Sequence, residues 1–162
     1  MGATSLPALA SSSPSPSTVS VLDRQLLTTA HQGNLWEITT SQQAQSAATT
    51  ACVKRVSADF IRDHRVLDAG VVKAAARLGV ALPSGQSGAQ LRQTAALKSL
   101  ASTSAYDAAW LKAQYPAHVQ TLALVDKVIA SGTSPLVKSL AKSARPVVAR
   151  HTQMVNHGVC QA

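Results

Sequence analysis

The sequence predicts an all-α fold: four long helices packed as a bundle, with a short extra helix inside a long connection between the second and third. Three observations carry that expectation. Apolar residues recur three and four positions apart through four long stretches, the period of one helix face. Aromatic residues are only 3% of a chain that is 46% hydrophobic, a mixture that suits close helix packing better than strands. Caps, glycines and prolines punctuate the stretches where helices begin and end. At 162 residues the chain suits one domain with a core large enough to stand without staples.

Residues 1–19 read as a disordered Ser/Pro-rich leader. They lack the basic and apolar regions of an intact signal peptide, and Leu6 stands where a myristoylation motif needs Ser or Thr. A linker of this kind ahead of a compact domain fits an exported bacterial protein trimmed of its signal. The expected location is therefore secreted, periplasmic or in the cell envelope.

The bundle is expected over residues 20–158. The first helix runs from about Ser20 or Val21 to about Ala48, with Asp23 in its first turn, where the dipole favours an acid. Its seam is Leu26, Ala30, Gly33, Glu37, Thr40 and Ala44. Thr49 or Thr50 caps the second, which continues to Leu78 and stops at Gly79. That seam is Val53, Val56, Phe60, His64, Leu67, Val71, Ala74 and Leu78. A break around Pro83, Gly85 and Gly88 precedes a short helix from Ala89 to Ala101, held down by Leu91 and Leu97. The third long helix starts near Ser102–Ser104, ends at Ser131–Gly132, and should bend at Pro116. Its seam is Leu111, Tyr115, His118, Leu122, Val125 and Ile129. Pro135 opens the fourth, whose seam is Leu136, Leu140, Ala144, Val147, His151 and Met154, and which frays near Gly158 before a tail at 159–162.

The net charge of +8 invites a nucleic-acid reading, which the distribution opposes. The fifteen Lys and Arg are scattered, no aromatic platform is interleaved among them, and the excess reflects a scarcity of acids. Specific nucleic-acid binding is not expected; weak association with acidic envelope polymers or lipid headgroups is compatible with the charge. No apolar stretch reaches the ~18 residues needed to cross a bilayer.

Each long helix carries one potential ligand on its own apolar seam: Glu37, His64, His118 and His151. Glu37 is the only glutamate, and a carboxylate facing a core must be paired, metal-bound or protonated. Measured from the nearest turn, these residues lie about 10–16 positions along their helices, so their heights differ by roughly 9 Å at most. Three imidazoles and a carboxylate at one level can form a coordination sphere for zinc, copper or iron. Asp63 and Asp68 flank His64 and are candidates to orient it from behind. The competing reading is a metal-free Glu–His hydrogen-bond network. His31 and His157 fall off the seams and are expected to be exposed, while Tyr106, Asp107 and Trp110 read as packing and capping residues. No Glu-x-x-His pair, nucleophile signature, phosphate loop or zinc-finger spacing occurs, so no catalytic residue is nominated.

The segments AHQGNLWEITTSQQAQ, VKRVSADFIRDHRVLD, GVALP, YDAAWLKAQYPAHVQTLALV and SARPVVARHTQM together resemble, in order and spacing, the domain-of-unknown-function 4142 family, across about residues 22–158. The resemblance implies a ferritin-like four-helix bundle, usually exported and mostly without an assigned activity. Its polar positions fall on Glu37, Asp63, His64, His118 and His151. The chain departs from the pattern at His31 and Asn34, where small residues are common, and in its two cysteines. In an up-and-down meander Cys52 and Cys160 would sit at opposite ends. In a ferritin-like fold the 80–102 segment crosses the full length and puts both at one end, which implies a Cys52–Cys160 disulfide. The functional expectation is a metal-binding exported bundle; the alternative is a non-enzymatic envelope or interaction module with a structural polar core.

Overall fold

The computed structural model describes residues 19–157 and 159–160. The expected leader lies outside them except for Val19, as do Gly158, where fraying is expected, and the last two residues of the tail.

Five helices form, each with a local cause. α1 (Val21–Ala47) opens on a reciprocal cap: the Asp23 N–H donates to Ser20 Oγ at 3.1 Å and the Ser20 N–H donates to Asp23 Oδ2 at 3.0 Å. α2 (Ala51–Leu78) is capped by Thr50 and stopped by Gly79, whose φ of 63° is left-handed and suits a residue without Cβ. α3 (Gly88–Ser99) carries a second capping box, Ser87 with Gln90. α4 (Tyr106–Ser131) and α5 (Pro135–Met154) are joined by a three-residue turn in which Ser134 caps α5. α4 continues through Pro116 and α5 through Pro146. Both prolines face solvent, where water can take the carbonyl that each leaves without a donor.

α1 pairs with α2 and α4 with α5 as two hairpins, and the segment between α2 and α4 runs the full length of the bundle. Contacts at the two ends establish this. Asp23 at the start of α1 accepts from the backbone of Thr133 and Ser134 in the α4–α5 turn. At the other end Asp107, in the first turn of α4, accepts from the N–H groups of Thr49 and Thr50 in the α1–α2 turn, both at 2.8 Å. Two aspartates thus each hold the turn of the opposite hairpin. Cys52 and Cys160 meet at the Asp107 end as a disulfide, with Cα atoms 5.3 Å apart.

The core divides into two clusters on either side of a polar layer. At the disulfide end Phe60, Tyr106 and Trp110 pack with Ala44, Val53, Val56 and Leu97. At the other end Leu26, Leu27, Val71, Val125, Val128, Val137 and Ala141 pack with no aromatic residue.

Several expectations need correction. The short helix spans Gly88–Ser99, and of its two leucines only Leu97 is buried, Leu91 being 55% exposed. α4 begins at Tyr106, because 100–105 form a run of turns first. On α5 the buried row is Val137, Ala141 and Val148; Leu136, Leu140, Ala144, Val147 and Met154 lie beside it, half-buried. The apolar stripe there is two rows wide, and the row of smaller residues turns inward. On α4 Gln114 and Val128 are buried, and Leu122 and Ile129 flank them.

Candidate metal centre

His64 on α2, His118 on α4 and His151 on α5 meet in the polar layer, all buried. His64 Nε2 lies 3.4 Å from His118 Nε2 and 3.3 Å from His151 Nδ1, and one nitrogen from each of the three falls within a 4.8 Å span. Among the described residues these three form a group within metal-ligand distance.

The opposite nitrogen of every ring is engaged. His64 Nδ1 donates to Asn34 Oδ1 at 2.8 Å, His118 Nδ1 to the Gln114 carbonyl at 2.9 Å, and His151 Nε2 to Asp63 Oδ2 at 2.9 Å. An imidazole that donates through one nitrogen keeps a lone pair on the other, so these three bonds aim three lone pairs inward. Asp63 is itself fixed by Arg62 and Arg150. Burial pushes its carboxyl up, but bonds from Arg62 and His151 outweigh this and hold it at about 2. It therefore stays ionised behind His151.

Burial pushes all three histidines below the ordinary imidazole value. For His64 the mutual repulsion with His118 and His151 adds to burial and Asp63 opposes it. His118 falls to about 4, with the Gln114 carbonyl opposing, and His151 falls against the pull of Asp63. Neutral imidazoles are the form that binds metal ions. Phe60, one turn before His64, covers the cluster on the disulfide side: its ring centroid is 4.3 Å from His151, 4.8 Å from His118 and 5.8 Å from His64.

Glu37 reaches the same layer but stands outside the three-histidine group. Its carboxylate lies 3.6 Å from His118 Nδ1, the nitrogen turned away from the centre. The Gln114 amide satisfies its neighbours with its nitrogen toward Glu37, donating to both oxygens at 2.5 and 2.8 Å and accepting from Thr40 Oγ1 at 3.1 Å. Burial holds the Glu37 carboxyl well above its usual range, with Gln114 pulling the other way.

Asp68 is turned elsewhere. It accepts from His31 Nδ1 at 2.7 Å, which also corrects His31 from an exposed residue to one largely covered in a pair between α1 and α2. His157 is exposed, its ring 5.3 Å from that of Tyr115. Asn34 and Gln114 were not nominated from the sequence. Each is a polar residue at helical spacing from a nominated one, Asn34 three before Glu37 and Gln114 four before His118, and that spacing is the signal that could have found them.

A cavity of about 360 Å³ opens on the side of the layer away from Phe60. Its inner end is lined by Asn34, Glu37, His64 and His118, and its walls are chiefly Leu, Val and Ala.

No curated protein matches this chain. Among solved structures it is similar to the crystal structure of a DUF305 fragment from Deinococcus radiodurans, with a TM-score of 0.75 at 12% identity over 89% of this chain and 99% of that one. At that identity the likeness is one of fold. The DUF4142 family, described as a domain of unknown function, matches residues 8–157, and the chain belongs to that family.

Proposed function

We propose that this protein is an exported metal-binding bundle that holds one transition-metal ion through His64 Nε2, His118 Nε2 and His151 Nδ1. The observation that carries the reading is the convergence of three lone pairs whose rings are each locked from behind. A tetrahedral ion ~2.0–2.1 Å from its nitrogens sets them ~3.3–3.4 Å apart. The two short separations, 3.3 and 3.4 Å, suit that edge. Without a cation between them, three inward lone pairs at such distances repel. Zinc, copper and iron all accept imidazole ligands. Asp63, expected behind His64, would orient His151 instead, and Asn34 takes for His64 the role expected of Asp63 and Asp68. Glu37, expected as a fourth ligand, would then stand beside the outer nitrogen of His118 rather than on the ion.

The Cys52–Cys160 disulfide supports an oxidising compartment outside the cytoplasm or in the envelope. The net charge of +8 supports weak attraction to acidic envelope polymers or lipids rather than a specific nucleic-acid role. No described helix is long and apolar enough to cross a membrane.

The test is metal analysis of protein purified without chelator or affinity nickel, alongside His118→Ala. About one ion per chain, lost in the variant, is the expected result. Equal metal in both proteins would sink the shared centre and leave the polar layer as a structural network.

A further inference from the structure

Building on the metal reading, we infer that the cavity beside the histidines takes a short aliphatic carboxylate. Its head would complete the coordination of the ion, and its chain would lie along Leu26, Leu67, Val71, Leu124 and Leu140. Three features of the molecule lead there.

The first is direction. Of the three histidines, His64 and His118 line the cavity and His151 does not, while Phe60 closes the opposite side. A fourth donor therefore has to arrive through the cavity.

The second is charge. Three neutral imidazoles bring no charge to a divalent ion, and the ionised Asp63 behind His151 is already paired with Arg62 and Arg150. Glu37 is the one acid among the cavity's lining residues, and it is set beside the outer nitrogen of His118 with Gln114. An anionic oxygen donor fits the remaining position better than a neutral one.

The third is shape. A volume of about 360 Å³ lies at the lower end of small-molecule sites, and the walls beyond the polar end are mainly aliphatic, with Trp36 among them. The exposed liners Gln25, Thr29 and Gln120 place the mouth between α1 and α4. A molecule with one charged end and an apolar body of several methylenes matches this polar floor and greasy wall. Each methylene moved from water to such a wall contributes about 0.8 kcal/mol, so chain length should govern affinity.

The experiment uses the full chain loaded with cobalt(II), whose visible absorption reports its donor set, titrated with octanoate and with acetate. Octanoate is expected to shift the cobalt bands and to bind at least about tenfold more tightly than acetate. In Ala144→Phe, and independently in Thr121→Phe, cobalt should still bind while the advantage of octanoate falls to about that of acetate. Two variants on different helices guard against one that fails to fold. Cobalt bound with bands indifferent to octanoate, or equal affinity for the two acids in the unaltered protein, overturns the proposal while leaving the metal site intact. Failure of the unaltered protein to bind cobalt overturns the metal reading and this proposal together.

Discussion

The two apolar halves of the bundle sit on the same four helices and are built in opposite ways. At the disulfide end Phe60, Tyr106 and Trp110 fill the interior around small partners such as Ala44. Their end is tied by Cys52–Cys160 and by Asp107 on the α1–α2 turn. At the far end the core cluster is valine, leucine and alanine, and the cavity, with Trp36 on its wall, lies within that half. Its tie is Asp23 on the α4–α5 turn. The difference teaches that the histidines have a rigid backing on one side and room on the other.

The comparison can be broken in three places. The largest effect should come from the crosslink. In the chain-entropy view, a bridge between residues 108 apart contributes about 4–5 kcal/mol, so Cys52→Ser with Cys160→Ser should lose most of that in urea unfolding. A loss under about 1 kcal/mol would mean the aromatic half is held by packing alone.

Next comes the end without a crosslink. Burial raises the Asp23 carboxyl, but bonds from Thr133, Ser20 and Ser134 dominate and hold it at about 2, against an ordinary 3.8. A depressed carboxyl contributes stability that is complete above its unfolded value and is lost as the pH falls toward the folded one. Asp23→Asn should therefore be about 2 kcal/mol less stable than the unaltered protein at pH 7. The gap should close between about pH 4 and 2, followed by denaturant melts across that range. A gap that does not change with pH would remove the aspartate from its role as a charged tie.

The smallest effect is the sharpest comparison. Ala44 and Ala141 are both buried, the first in the aromatic half and the second on the cavity wall. Ala44→Leu should cost about 1–3 kcal/mol through overpacking, and Ala141→Leu less than about 1, because it grows into space. Equal costs in thermal unfolding would mean the two halves are equally full.

Much of this architecture was legible in the chain. Ser20, Thr50, Gly79 and Pro135 mark helix ends because capping and left-handed backbone depend on local chemistry alone. The three histidines were legible for a different reason: polar groups on apolar seams have nowhere else to go. What was not legible is angular. Asp68 is one helical turn past His64, yet the extra rotation per turn delivers it to His31 on α1. On α5 two adjacent apolar rows compete for the interior, and periodicity does not choose between Leu140 and Ala141. The same limit applies to Glu37: sequence gives its height in the bundle, but not that it meets Gln114 and the outer nitrogen of His118.

The full-length crossover also has a meaning in time. Each hairpin can close through contacts between neighbours in sequence, whereas His64 must find His118 across 54 residues and His151 across 87. The imidazoles are split between the hairpins, so the cluster is complete only where the two hairpins meet. An ion bound there would act as a latch between the two hairpins.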